Sequence, residues 1–141
     1  MNISKRTLLK HLENNLYVRA KKSDIHGVGI FAIRDIPKDI DPFHTIHQEE
    51  YIEFSKNELE HLSDDVKKMI HDYCAEEDGK VWIPKYGFTT VQVERFLNHS
   101  KTPNVATTDD GTKFITMRVI KKGEELLADY EHYDENFTEK M

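Results

Sequence analysis

Most apolar residues of this chain fall in short runs that are rich in β-branched and aromatic side chains. Such runs favour strands over long amphipathic helices. The predicted strands span, in chain order, residues 16–20, 28–33, part of 40–54, 81–84, 105–108 and 113–120. Asp109-Asp110-Gly111 lies between the last two runs and is typical of a hairpin turn. The pattern therefore predicts a mainly β fold.

Three short helices interrupt these runs. Ser4 is placed to cap a helix that ends near Leu12, and Ser55-Lys56-Asn57-Glu58 forms a capping box that opens a helix to about Leu62. Asp64 is predicted to cap the third helix. The side chains that share the apolar face of this third helix are Val66, Met69, Ile70 and Tyr73.

A glycine pair, Gly27-Val28-Gly29, precedes a strand-like apolar run. With Ala32 it formally matches the dinucleotide-binding fingerprint, which requires a strand, a tight turn and then a helix. Here a polar stretch precedes the glycines and a strand follows them. The sequence therefore argues against a Rossmann fold.

Two further blocks fit no ordinary amphipathic element. In Arg95–Ser100, polar Asn98, His99 and Ser100 follow directly on Phe96 and Leu97, and Pro103-Asn104 then stops any helix. In Gly123–Tyr130, a short apolar run ends in Asp129-Tyr130. Both blocks place polar groups at the end of a buried segment, an arrangement that is typical of functional sites.

The sequences RFLNHSxxPN and GEELxxDY resemble the paired C-terminal signature of SET-domain protein lysine methyltransferases, and the glycine pair matches a third element of that family. The resemblance spans roughly Tyr17 to Tyr130. It implies a β-clip type fold of small curved sheets, in which the two C-terminal blocks cross as a pseudoknot and form the pocket for S-adenosyl-L-methionine.

The resemblance also implies roles for individual residues. Tyr130 matches the catalytic tyrosine. The residues implied to bind the cofactor are Gly27, Val28, Gly29, Asn98, His99 and Tyr130, with backbone of His99 at the adenine, Asn98 at the amino-acid end, and glycines that let the backbone approach. The residues implied to line the lysine channel are Tyr73, Thr107, Ala128 and Tyr130. The residues expected to support the pseudoknot are Arg95, Ser100, Asn104 and Glu124.

Two of the channel positions carry small side chains. Relatives often have an aromatic residue where this chain has Ala128, and Thr107 stands where a tyrosine can limit the number of methyl groups added. With both side chains small, we expect that di- or trimethylation of lysine is permitted.

Composition narrows the function classes. A chain of 141 residues predicts one domain, and a net charge of −6 with a pI near 5.7 lacks the basic surface of nucleic-acid binders. An acidic surface would suit a lysine-rich protein substrate. The single cysteine, Cys74, excludes a disulfide framework and cysteine-rich zinc modules. His44 and His47 lack the further histidines or cysteines of a metal site, so no metal is predicted.

The predicted organisation is a helical arm (1–15), a SET domain (16–131) and a tail (132–141) that could cap the active site. We expect an intracellular, soluble protein, cytoplasmic or nuclear if eukaryotic, that binds neither membranes nor nucleic acid. The apolar stripe of the arm must pack on the body or on a second copy, which leaves a homodimer open. The alternative function is a catalytically inactive SET fold that acts as a peptide-binding or scaffold module.

Overall fold

A computed structural model describes residues 4–44, 50–89, 93–108 and 113–132 of the chain. Within these ranges it contains mostly strands and two short α-helices, which confirms the predicted fold class. The helices are α1 (Lys5–Asn14) and α2 (Asp64–Tyr73). The strands are β1 (Val18–Lys22), β2 (Val28–Ala32), β3 (Tyr51–Ser55), β4 (Glu76–Glu77), β5 (Lys80–Pro84), β6 (Asn98–His99), β7 (Val105–Thr107), β8 (Phe114–Thr116) and β9 (Glu125–Ala128).

The chain divides into two compact units. The first comprises the described residues of Met1–Gln48 and Phe96–Asp129, and the second those of Glu49–Arg95 and Tyr130–Met141.

The first unit is built on a four-stranded sheet with the order β1-β2-β9-β6. β2 runs antiparallel to both β1 and β9, whereas β6 runs parallel to β9. β7 and β8 form a separate antiparallel hairpin. The fully buried side chains of this unit include Ile30, Ile36, Val105, Ile120 and Leu126.

In the hairpin of β1 and β2, Gly27 lies in the connecting loop and Gly29 lies in β2. Val18 pairs with Ala32 and Lys22 with Val28, so the first strand begins and ends two residues later than predicted. Pairing with β2 decides these bounds, because it holds charged residues in a strand that composition alone does not favour. Since a strand follows the glycines, the structure excludes the Rossmann arrangement.

The second strand of the later hairpin is shorter than predicted. β8 ends at Thr116 because the chain then leaves β7 and makes an isolated antiparallel bridge between Ile120 and Ile36. The Thr116 hydroxyl donates to the carbonyl of Pro37 at 2.7 Å and fixes this departure. The predicted turn residues 109–111 lie outside the described residues.

The second unit packs α2 against the sheet β3-β5-β4. Ile70, Cys74 and Val81 form its buried cluster. Ser63, and not the predicted Asp64, caps α2, because its hydroxyl accepts from the backbone N–H of Val66 at 3.3 Å.

Two other predicted helices of the chain have clear outcomes. The capping box at Ser55 is present, but it opens a 3₁₀ turn that ends at Leu59 instead of a helix to Leu62. α1 is capped by Ser4 as predicted and ends at Asn14. Neither α-helix of the described ranges has the length and apolar composition that crossing a bilayer requires.

Candidate functional site

The loop between β1 and β2 is closed by its own hydrogen bonds. The backbone N–H of Ser23 donates to the carbonyl of Gly27 at 2.8 Å, and the Ser23 hydroxyl accepts from the backbone N–H groups of Ile25 and His26. Gly27 adopts a φ of +45°, a conformation that favours glycine over residues with a Cβ. These hydrogen bonds and the conformation of Gly27 define the shape of the loop.

The side chain of Asn98, the first residue of β6, also forms hydrogen bonds with the backbone of this hairpin. Its side chain is buried, and Nδ2 lies 3.0 Å from the carbonyl oxygen of His26, 3.3 Å from that of Val28 and 2.8 Å from Oε2 of Glu125. All three neighbours are acceptors, so the amide must present its NH₂ group to them. No hydrogen bond of Asn98 within the described part of the chain uses Oδ1, which remains available as an acceptor.

Glu125, the first residue of β9, completes a three-residue network. Its Oε1 accepts from the Ser23 hydroxyl at 2.7 Å while its Oε2 accepts from Asn98. Sequence reasoning missed both Ser23 and Glu125. No local signal pairs them, because Ser23 and Glu125 lie 102 residues apart and Glu125 follows a lysine-rich turn that is typical of a solvated surface.

The two glycines of the pair are needed for different reasons. A Cβ at Gly27 would meet nothing within 4 Å, so open space adjoins this residue. A Cβ at Gly29 would clash with Oε2 of Glu125 and would lie 3.0 Å from Cβ of Ser23. In this structure the Glu125 carboxylate fills the space beside Gly29. The expected approach of the backbone of both glycines to a cofactor stays a prediction.

His99 and Ala128 lie side by side where β6 pairs with β9. The His99 side chain is buried, and its Nδ1 lies 3.8 Å from Oδ1 of Asp129, too far for a direct hydrogen bond. A buried imidazole next to a carboxylate is compatible with the implied role of His99, since that role uses main-chain groups.

The four residues expected to support the crossing blocks differ in what they contact. Asn104 joins the blocks: its Nδ2 donates to the carbonyl of Glu125 at 2.9 Å, and its Oδ1 accepts from the N–H of Leu127 at 2.8 Å. Ser100 contributes its backbone N–H to the carbonyl of Ala128 at 3.0 Å. The threading of one block under the other remains a prediction.

The side chains of the other two contact residues outside the two blocks. The Glu124 carboxylate binds Arg118 and the N–H of Lys121, which lower its pKa, and its expected support of the pseudoknot stays a prediction. Its position at the turn before β9 explains these contacts, because the N–H groups of the turn are the nearest donors. Arg95 belongs to the second unit and donates to the carbonyl of Tyr73 at 2.6 Å.

The predicted channel residues are divided between the units. Thr107 ends β7, and Ala128 ends β9 with 1% of its surface exposed. Tyr73 ends α2, its ring centroid 6.2 Å from that of Phe88, and Tyr130 opens a 3₁₀ turn directly after Asp129. The grouping of these residues into one channel stays a prediction.

Metal-binding residues do not cluster in the ranges that the structure describes. No group of three or more histidine, cysteine or acidic side chains there could hold an ion. His47 lies outside those ranges, so the sequence pair His44 and His47 is not described as a whole.

The fold and these contacts define the class of protein: a mainly β domain in which a glycine loop and two polar blocks far apart in sequence are hydrogen-bonded to one another. The sequence profile of the SET domain matches residues 27–131. The chain therefore belongs to the SET-domain family, whose membership supports methyltransferase chemistry in general.

Among solved structures, the fold is similar to that of a candidate histone methyltransferase from Plasmodium falciparum. The TM-score is 0.53 at 19% sequence identity, covering 83% of this chain and 95% of the other. At this identity the likeness supports the fold alone. Comparison with curated protein sequences gave no significant match.

Proposed function

We propose that this protein transfers the methyl group of S-adenosyl-L-methionine to the side-chain amine of lysine in a protein substrate. The observation that carries the proposal is the Asn98 amide, which joins the glycine loop to the GEEL block through the bonds to His26, Val28 and Glu125. The three motif elements of the family thus meet at one buried side chain.

Two features of the first unit fit the cofactor. The space beside Gly27 would admit a ligand close to the backbone, and Oδ1 of Asn98 would accept from the ammonium group of the cofactor's amino-acid end. His99 would offer main-chain groups to the adenine. When bound, the cofactor supplies an electrophilic methyl group on a sulfonium ion.

The remaining task of the protein is to present a neutral amine. At pH 7.4 only about one lysine in a thousand is neutral, given an ordinary pKa of about 10.4. Desolvation in an apolar channel lowers that pKa and frees the lone pair. Tyr130 would orient the amine by accepting a hydrogen bond at its phenol oxygen, so no carboxylate base is required.

The charge distribution supports a basic protein substrate. Glu49–Arg95 and Tyr130–Met141, the segments of the second unit, contain 16 acidic and 7 basic residues. The segments of the first unit contain 10 acidic and 13 basic residues. The acidity of the protein is therefore concentrated in the unit that includes Tyr73 and Tyr130, where lysine-rich segments would be attracted.

Small side chains at Thr107 and Ala128 support addition of more than one methyl group. We expect di- and trimethylated lysine when the products formed on a lysine-rich protein are analysed by mass spectrometry. A product that remains strictly monomethylated after exhaustive reaction would contradict this part of the proposal.

The decisive experiment measures cofactor binding and turnover separately. Calorimetry should detect binding of S-adenosylhomocysteine, and a radiolabelled methyl group should pass to lysine-rich proteins. Tyr130→Phe should lose most turnover and keep its affinity for S-adenosylhomocysteine, because only the phenol that orients the amine is removed. Tyr86→Phe is the matched control, since Tyr86 is 73% exposed. Binding without turnover on any substrate would instead indicate a scaffold module, and an active Tyr130→Phe variant would refute the role of Tyr130.

A further inference from the structure

The Glu125 carboxylate is the charged member of the network around Asn98. It lies 2.8 Å from Nδ2 of Asn98, and the other two acceptors of that NH₂ group are neutral backbone carbonyls. Hydrogen bonds to an ionised carboxylate are shorter and stronger than bonds between neutral groups. Glu125 therefore contributes most to the direction in which the Asn98 amide points.

We propose that Glu125 is a positioning residue for the cofactor: it fixes the amide of Asn98 so that Oδ1 is turned away from the loop carbonyls and accepts from the cofactor's ammonium group. The inference rests on the proposed function and adds to it a residue that makes no contact of its own with the cofactor. The polarity of the amide is the property that matters, because a flipped amide would offer a donor to a cation.

Ser23 fixes Glu125 in turn. The Ser23 oxygen already accepts from the N–H groups of Ile25 and His26, so its hydroxyl hydrogen is directed to Oε1 of Glu125 at 2.7 Å. Gly29 leaves the space that the carboxylate occupies. Serine and asparagine thus both donate to the glutamate between them, which holds the NH₂ group of Asn98 towards the carboxylate and leaves Oδ1 as the open acceptor.

The charge of Glu125 also favours a cation at this acceptor. The carboxylate is partly buried, where Coulomb interactions are screened less than in water. A ligand that carries an ammonium group should therefore depend on Glu125, whereas a ligand that lacks it should not.

Two ligands separate positioning from general structural support. S-adenosylhomocysteine has the amino-acid end, and 5′-methylthioadenosine has the same nucleoside without it. Their affinities are measured by titration calorimetry for the wild type, Glu125→Met and Glu125→Gln. Methionine has a similar length and no strong acceptor, whereas glutamine can still turn its carbonyl oxygen to Asn98.

We expect Glu125→Met to weaken the binding of S-adenosylhomocysteine by about 10-fold or more, which is equivalent to the loss of one charge-assisted hydrogen bond. Glu125→Gln should lie between this variant and the wild type. The affinity for 5′-methylthioadenosine should change by less than about 3-fold in both variants. This change is small compared with the effect of losing one charge-assisted hydrogen bond. Glu124→Met is the matched control, because within the described residues that carboxylate binds Arg118 and the N–H of Lys121 and makes no hydrogen bond to Asn98 or Ser23, and it should leave both affinities unchanged.

An equal loss of affinity for both ligands would overturn the inference and show that Glu125 only stabilises the fold. Unchanged affinity of Glu125→Met for S-adenosylhomocysteine would overturn it as well. If Glu125→Met does not fold, the Glu125→Gln variant decides between the outcomes, because selective weakening of S-adenosylhomocysteine is still expected. A wild type that binds neither ligand would instead overturn the proposed function itself.

Discussion

Replacement of Gly29 by alanine tests whether Glu125 occupies the space beside β2. Gly29 lies in a strand with ordinary negative φ, so alanine meets no backbone penalty at this position. The added Cβ would instead clash with Oε2 of Glu125, with Cδ at 2.9 Å and Cβ of Ser23 at 3.0 Å. The carboxylate must move, and it can do so only by stretching or breaking its bonds to Ser23 and Asn98.

The expected cost follows from these contacts. Insertion of a methyl group into a packed site costs about 1–3 kcal/mol. Loss of one hydrogen bond to a charged group adds about 1.5–3 kcal/mol to this cost. Alanine also lowers the conformational entropy of the unfolded chain, which offsets less than about 1 kcal/mol of the cost. Gly29→Ala should therefore lower the free energy of unfolding by about 1.5–6 kcal/mol, which corresponds to a Tm lower by about 5–20 °C.

Urea unfolding followed by circular dichroism measures this change in the absence of cofactor. Combined with Glu125→Ala in a double-mutant cycle, Gly29→Ala should cost about 1–2 kcal/mol less than it does alone, because the clashing carboxylate is gone. Gly79→Ala is the control: its cost comes from a φ of +75° with nothing near the new Cβ, so it should add to Glu125→Ala within about 0.5 kcal/mol. Additivity of Gly29→Ala with Glu125→Ala, or a neutral Gly29→Ala, would refute this account of Gly29.

Three further changes test individual contacts. Asn104→Ala should lower the free energy of unfolding by about 2–4 kcal/mol, because it leaves the carbonyl of Glu125 and the N–H of Leu127 without their partner; a loss under about 1 kcal/mol in urea unfolding would contradict this. The lowered pKa of Glu124 means that its ionised form stabilises the fold above its ordinary value of 4.5 and that this stabilisation is lost as the pH falls through the lowered pKa. Glu124→Gln should therefore be less stable than the wild type at neutral pH, and the difference should shrink in unfolding curves taken below about pH 4.5; a constant difference would contradict the assignment. Ser63→Ala should cost about 1 kcal/mol as a lost N-cap, whereas Ser63→Asp should cost little; equal losses in thermal unfolding would argue against capping.

The local elements of the fold were predictable because their signals are local. Ser4 caps α1 and the box at Ser55 forms, since each depends on residues within one turn. The predicted cap of α2, Asp64, was wrong by one residue, because Ser63 caps the helix. Both residue types cap helices, and an acidic residue one position after the cap is also favoured at a helix N-terminus. Strand bounds were predicted less well, because the partner strand decides them.

The candidate site also combines a residue that could be predicted from the sequence with residues that could not. Asn98 could be singled out because a polar residue at the end of an apolar run is unusual, and the family resemblance gave it a role. Its partners could not be named, because Ser23 and Glu125 are far apart in sequence and an acidic residue in a lysine-rich turn region is typical of a solvated surface. Only the fold shows that the second glutamate of the pair faces inward.

The short pairing of β6 with β9 explains why this polar network is needed. Two residue pairs, Asn98 with Leu127 and His99 with Ala128, define the register of these strands. A slip by one residue would turn Asn98 to the opposite face and remove its amide from the glycine loop. Apolar packing at so short a contact discriminates weakly between registers, whereas the bonds of Asn104 and Glu125 form in one register only. The polar contacts therefore align the two blocks, and that alignment decides which group of Asn98 is offered to a ligand.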